Sequence, residues 1–234
     1  MTLVEGILDR VTTPDTLTAH VVAPGPDPRV HGYAVQADLA RNIGFADLGW
    51  LALTGELPAE REHEALTRAL LWLAPVHVGE APGHAGVLAR IAGAPDEVVP
   101  AVVAVALGQH IGAELRALAP MFAWLSGQLD EPSAIAVLGP DADPAERDAY
   151  AELVDASARW FGPERALPAA PALTRVAAAY AILDRLGVGD RPRLHAFATW
   201  ARLPIALAEA ACTAPGAVLR YPLDLPPYRY CEDE

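Results

Sequence analysis

Long runs of alanine and leucine, cut at intervals by proline and glycine, constrain this chain more than any other feature. Apolar residues make up 53% of the 234 residues and charged residues only 20%, which excludes a disordered chain. Alanine and leucine lead the helix scale because they lose little side-chain freedom on ordering. Twenty-two prolines and eighteen glycines then set where each run must stop. The expectation is an all-α protein of many moderate helices.

The punctuation predicts where those helices lie. Residues 1–30 read as a weakly structured entry, with a rigid turn at Pro24-Gly25-Pro26-Asp27-Pro28. Short helices are expected over Val35–Arg41 and Phe45–Leu53, the second stopped by Thr54-Gly55. Longer ones follow from Pro58 to about Leu73, over Gly83–Ile91 and over Asp96–Leu118, with a new start at Pro120. The apolar stretch Val98–Leu107 is too short to span a bilayer and reads as a buried helix. A Pro- and Asp-rich seam occupies Gly127–Pro144. Helices are then expected over Glu146–Trp160, Leu173–Leu186 and Pro192–Ala211, the last bent near Pro204, before a Pro- and Tyr-rich arm. The resulting division is 1–127, a linker or small lobe at 128–170, and 171–234.

Charge and residue types exclude several functions. The net charge of −13 repels phosphate backbones, so no nucleic-acid partner is expected, although a local basic pocket for an anion fits. The chain has no lysine, which excludes Schiff-base chemistry. Neither a phosphate loop nor a G-x-S-x-G elbow is present. Cys212 and Cys231 match no zinc spacing and suggest a reduced, cytoplasmic setting. His77, His84 and His110 lie in one central segment without an H-E-x-x-H pattern, so no metal site is expected. No secretory start or membrane span is expected either.

Two residues stand out chemically. His110, flanked by Gly108 and Gly112, sits where a ligand or another helix approaches closely, and a histidine there can give or accept a proton. Its plain alternative is a core histidine. Arg202 lies among apolar neighbours and needs a carboxylate, a carbonyl or an anionic ligand. Glu209 is its plain structural partner. Arg90, Arg116, Arg175 and Arg220 are further candidate anion anchors.

The motifs taken in order resemble the citrate synthase superfamily, and its shorter citryl-CoA lyase-like branch in particular. They are His31-Gly32-Tyr33, then Leu53-Thr54-Gly55-Glu56-Leu57-Pro58, then Pro82–Arg90 with His84. Gly108-Gln109-His110-Ile111-Gly112-Ala113-Glu114, Ala198–Glu209 and Pro215–Arg220 follow. The resemblance implies an all-α, citrate synthase-like large helical domain with a reduced small domain. A homodimer through helices that include 84–118 is expected, with the Ala- and Val-rich stretch Val98–Leu107 buried against its twofold copy. It places His110 on the histidine that helps enolise an acyl thioester. His84, Arg202 and Arg220 fall at substrate-binding positions for a small carboxylate. Val176 stands where the family has its catalytic aspartate, so Glu114 or Asp184 is the candidate substitute base. No cofactor is implied beyond a CoA- or carrier-borne thioester substrate. Three readings stay open: a divergent enzyme making or breaking a C–C bond beside an activated carbonyl, an inactive homologue binding a small acid or a partner protein, and a natural-product tailoring enzyme with changed chemistry. Authentic citrate synthase activity is expected to be absent or very weak.

Overall fold

The computed structural model describes residues 16–216, and these are predominantly helical, as the alanine–leucine runs require. Arg220 and Cys231 lie outside the described residues. The chain divides into two compact units, Met1–Ala59 and Glu60–Glu234.

The first unit adds a small sheet to the weakly structured entry expected over residues 1–30. Three two-residue strands, β1 (Val22–Ala23), β2 (Arg29–Val30) and β3 (Tyr33–Ala34), form an antiparallel sheet in the order β1-β2-β3. Val22 pairs with Val30, and Val30 with Tyr33. His31 and Gly32 make the β2–β3 turn with φ of 46° and 90°. Two consecutive positive φ values match the right-handed twist of a two-residue hairpin, which explains a non-glycine residue in this region. Strands this short leave almost no alternation to read, so the sequence signal is lost. Asp27, inside the proline-rich turn, accepts the N–H groups of Gln36 and Ala37 and so caps the next helix.

That helix is a π-helical turn, Val35–Leu39, running into α1 (Ala40–Asn42). In α2 (Phe45–Thr54) the Asp47 carboxylate accepts the Gly44 N–H at 2.9 Å, and Gly55 closes the helix at φ 87°. Val30, Leu39 and Leu51 form the small core of this unit.

The second unit is a helical bundle: α3 (Glu60–Leu73), α4 (Ala81–Ile91), α5 (Val98–Ala117), α6 (Ala119–Leu125), α7 (Pro144–Phe161), α8 (Arg175–Leu183) and α9 (Arg191–Ala211). Asp143, Thr174 and Asp190 cap α7, α8 and α9 through side-chain oxygens, as short polar residues before helices do. Pro144 and Pro192 occupy first-turn positions, where the missing N–H has no intrahelical partner to lose. Helix α9 stays continuous through Pro204. Helix α8 ends in a π-helical turn, Asp184–Val188, in which Gly187 adopts φ 85°.

The close packing falls at Gly86 on α4. A methyl group there would meet Val103 Cγ2 at 2.5 Å and Ala210 Cβ at 3.2 Å. Helices α4, α5 and α9 therefore approach through glycine and small side chains. At Gly108 and Gly112, where a ligand or another helix is expected to approach, a methyl group would meet atoms only at the ordinary distances of 3.8 and 3.6 Å. All seven residues Ala177–Leu183 are buried, which makes α8 the central helix of the unit.

Helix α5 is long and apolar enough by length and composition to cross a membrane. Within the bundle it has two faces. Val99, Val103, Leu107, Ile111 and Leu115 are buried, whereas Val98, Ala101, Ala104 and Val105 are exposed, Val105 by 65%. The expected buried helix is thus buried along one stripe within the chain.

Tyr150 on α7 is 2% exposed and donates its O–H to Pro168 O at 2.7 Å. Burial pushes its phenol up to about 12, against a smaller opposing effect of the Leu173 backbone. Below pH 10 the group is protonated in both the folded and unfolded chain. Above it the unfolded chain releases the proton first, so the folded state loses stability as pH rises from 10 towards about 12. Chemical denaturation across this window is expected to show a loss of about 2 kcal/mol from this group. Tyr150→Phe is expected to shrink the alkaline loss; an unchanged profile removes Tyr150 as its source.

Candidate active site

The site is built on an unavoidable defect of α3. The last carbonyls of any helix lack intrahelical donors and carry partial negative charge. Arg202 Nε, on α9, donates to Leu73 O at 3.0 Å, and Arg175 Nη1, at the start of α8, donates to Trp72 O. Two guanidinium groups thus close the C-terminus of α3.

Arg202 is 2% exposed, and a charge this buried needs a counter-ion. Glu114 on α5 supplies it. Arg202 Nη2 donates to Oε2 at 3.1 Å, and Nη1 lies 3.0 Å from Oε1 but off the hydrogen-bond axis. The phenol of Tyr180 on α8 donates to Glu114 Oε1 at 2.7 Å. Burial, then the Glu114 charge, raises the Tyr180 phenol far above its ordinary value, so it acts as a fixed donor. One carboxylate therefore ties α5, α8 and α9 together. The structure corrects Glu209, the partner expected from sequence: Arg202 pairs across the bundle.

His110 sits one turn before Glu114 on the same face of α5. Its Nε2 lies 3.9 Å from Glu114 Oε2 and 3.8 Å from Glu80 Oε2. Both distances exceed a hydrogen bond and leave the imidazole between two carboxylates. The His110 side chain is 31% exposed, so this end of the network is open. Glu80 comes from the loop after α3, where it also meets His77 Nε2 at 3.4 Å. The Gly79 N–H donates to His77 Nδ1 at 3.1 Å, which leaves the Nε2 proton of a neutral His77 to face Glu80. A methyl group on Gly83 would meet His77 O at 2.8 Å, so the start of α4 holds this loop tightly.

Partial burial, and then the like charge of Arg202, lower the Arg175 guanidinium from its ordinary value; Glu80 and Glu114 oppose this. Arg175 is the more exposed of the two arginines and keeps donors beyond the one committed to Trp72. The arrangement can move a proton between His110 and a carboxylate and hold an anion against Arg175.

Among the expected site residues, His110, Glu114 and Arg202 meet in this network. His84 is exposed on α4, and its N–H continues the helix from Glu80 O. Asp184, the other candidate base, lies in the π-helical turn with its carboxylate beside Gly189. Arg90 pairs with Asp96, and Arg116 is exposed. Val176 is half-buried on α8. Sequence reasoning missed Tyr180 and Glu80. A lone phenol in the apolar run Ala177–Ile182 demands a partner and was a readable signal. Glu80 carried none, because a loop carboxylate is ordinary. Also unforeseen was His195 on α9, whose Nε2–H donates to Gly108 O at 2.9 Å and fixes α5 beside the site. Among the described residues no group of three or more His, Cys, Asp or Glu is placed to hold a metal ion.

No protein-family model and no curated protein sequence matches this chain. Its fold is nevertheless that of a solved structure, the citryl-CoA lyase from Hydrogenobacter thermophilus. The TM-score is 0.63 at 19% identity, over 93% of this chain and 96% of that one. The similarity extends through nearly the whole of both chains and shows the shared fold.

Removing one partner of a buried pair leaves the other charge uncompensated, at about 3–5 kcal/mol. Arg202→Met is therefore expected to destabilise the protein by about 3 kcal/mol, since Glu114 keeps some solvent access. Adding Glu114→Leu to it is expected to recover most of that loss. Urea denaturation of both variants decides: a single variant as stable as the parent shows that the pair contributes little.

Proposed function

We propose that the chain is a divergent enzyme of citrate synthase-like fold that removes or returns a proton beside an activated, thioester-type carbonyl, so making or breaking a C–C bond. The observation carrying this reading is the half-exposed His110 imidazole held between Glu80 and Glu114 at 3.8 and 3.9 Å. Catalytic hydrogen bonds are often long in an empty site and tighten around substrate.

The roles follow from which oxygens are free. Glu114 has both oxygens engaged, by Tyr180 and Arg202, so taking a proton would disrupt the pair that holds the helices together. Glu114 is therefore assigned to positioning, and Glu80 becomes the base. Glu80 takes the proton from the carbon beside the carbonyl. His110 donates to the carbonyl oxygen as negative charge develops there. Return of the proton to carbon completes exchange; when the enolate instead attacks a second carbonyl, the new alkoxide takes the proton held by Glu80, and both groups are restored. Arg175 is the candidate contact for the carboxylate of the substrate, because the donors of Arg202 already face Leu73 O and Glu114. Arg220 and His84 keep their expected substrate-binding roles as part of this proposal. The thioester is CoA- or carrier-borne, and no further cofactor is invoked. The segment 128–170 is assigned as the reduced small domain, and exposed, free Cys212 fits a reducing cytoplasm.

One observation favours the second reading, an inactive homologue that binds a small acid or partner. Glu114 occupies the guanidinium expected to meet a substrate carboxylate, an internal acid in place of an external one.

Exchange of the acyl α-protons with deuterium separates the readings. Acetyl and propionyl thioesters of CoA, pantetheine and N-acetylcysteamine would be incubated in heavy water and followed by mass spectrometry. Exchange is expected for at least one thioester, reduced by about 10²-fold in His110→Gln and in Glu80→Gln. Absence of exchange across the panel overturns the enzyme reading. Condensation of acetyl-CoA with oxaloacetate is expected to stay far below the ordinary enzyme rate of about 10 s⁻¹.

We further propose a homodimer through α5. Its exposed apolar face borders a shallow depression of about 410 Å³ with Ala85, Val102 and Gln109. A second copy packing on this stripe would bury it about a twofold axis. Sedimentation is expected to give a dimer at micromolar concentration and a monomer for Val105→Asp. A monomeric parent chain refutes the assembly.

A further inference from the structure

We propose that the cleft between α3 and α7 is a second binding site, for a planar aromatic anion: a ring carrying a carboxylate or a phosphate. The cleft has a volume of about 420 Å³, enough for a compact ligand. It is lined from α3 by Glu64, Thr67, Arg68 and Trp72, and from α7 by Arg159 and Trp160. None of the residues of the acid–base cluster lines it.

Three features distinguish it from ordinary surface. The first is its cations. Arg90, Arg175 and Arg202 each hold a carboxylate or a carbonyl, whereas neither Arg68 nor Arg159 has a hydrogen-bond or ion-pair partner among the described residues. Two guanidinium groups against the single Glu64 carboxylate leave the lining net positive, and an anion in the cleft offsets that charge. Such local positive charge is unusual in a chain of net charge −13. The planar fork of arginine suits both carboxylate and phosphate.

The second feature is the fixed indole. Trp160 Nε1–H donates to Glu64 Oε2 at 2.9 Å, and its ring meets Phe161 edge-on at 6.1 Å. The same hydrogen bond engages the acidic side chain of the cleft. An indole held in place offers a stacking face at little entropic cost. Trp72 provides a second indole across the cleft wall.

The third is the Thr67 hydroxyl, which is buried and has no partner. A buried hydroxyl without a hydrogen bond is costly, and a polar ligand atom satisfies it. Charge, flat apolar surface and one hydrogen-bonding group thus converge on one ligand chemistry.

The test uses phenyl phosphate and benzoate as aromatic anions, inorganic phosphate and acetate as anions without a ring, and benzyl alcohol as a ring without charge. Isothermal titration and saturation-transfer NMR on the full chain measure binding. At least one aromatic anion is expected to bind tenfold or more tightly than the controls, and comparison of the two identifies phosphate or carboxylate as the preferred group. Arg68→Gln with Arg159→Gln, both exposed changes compatible with folding, is expected to weaken that binding tenfold or more. Trp160→Phe is expected to weaken it while leaving the charge dependence. His110→Gln is expected to bind as the parent does, which separates this site from the proposed chemistry. No binding at millimolar concentration, equal binding of all five probes, or full affinity in the double-arginine variant overturns the proposal.

Discussion

A single buried guanidinium organises the second unit. Arg202 closes the end of α3 through Leu73 O and neutralises Glu114 on α5, while Tyr180 on α8 completes that carboxylate. Four helices meet through three side chains. Hydrophobic contacts among alanine-rich helices are permissive, since small side chains fit in many registers. A buried ion pair with directed hydrogen bonds is not, because misplacing it strands a charge in a poor solvent. The pair supplies the directionality that the alanine-rich packing lacks.

The same pair shapes the chemistry. With both oxygens of Glu114 engaged, the proposed proton transfer falls to His110 and Glu80, which lie 3.8 Å apart. The pair also occupies the arginine that the sequence offered as a substrate anchor. In the proposed reading, structure and substrate binding compete for one guanidinium, and the internal pair with Glu114 takes it. The exposed Arg175, pinned at one nitrogen to Trp72 O, is the cation proposed to meet a ligand.

Helix α5 links these points. Its buried stripe packs on α4 and α9, its C-terminal half carries His110 and Glu114, and its opposite face presents Val98, Ala101 and Val105 to solvent. The low charge of its first half thus serves packing on one side and leaves a second side uncovered.

The sequence by itself determined the helices and most of their ends. Proline at first-turn positions, Asp143 and Asp190 as caps, and the left-handed Gly55 and Gly187 act within a few residues, so their effects are legible locally. It also singled out His110, Glu114 and Arg202. The tertiary structure decided who meets whom. Glu114 rather than Glu209 pairs with Arg202 across 88 positions of chain, and Trp72 and Leu73 matter through carbonyls that no side-chain pattern advertises. The close glycine is Gly86, because contact depends on how α4 lies against α5 and α9. The β-strands of residues 22–34 escaped for a different reason: two-residue strands are fixed by turn geometry and pairing, with too little alternation to read along the chain. Local propensity is written in neighbouring residues, whereas the charge pairing that makes a site is set only when distant helices pack.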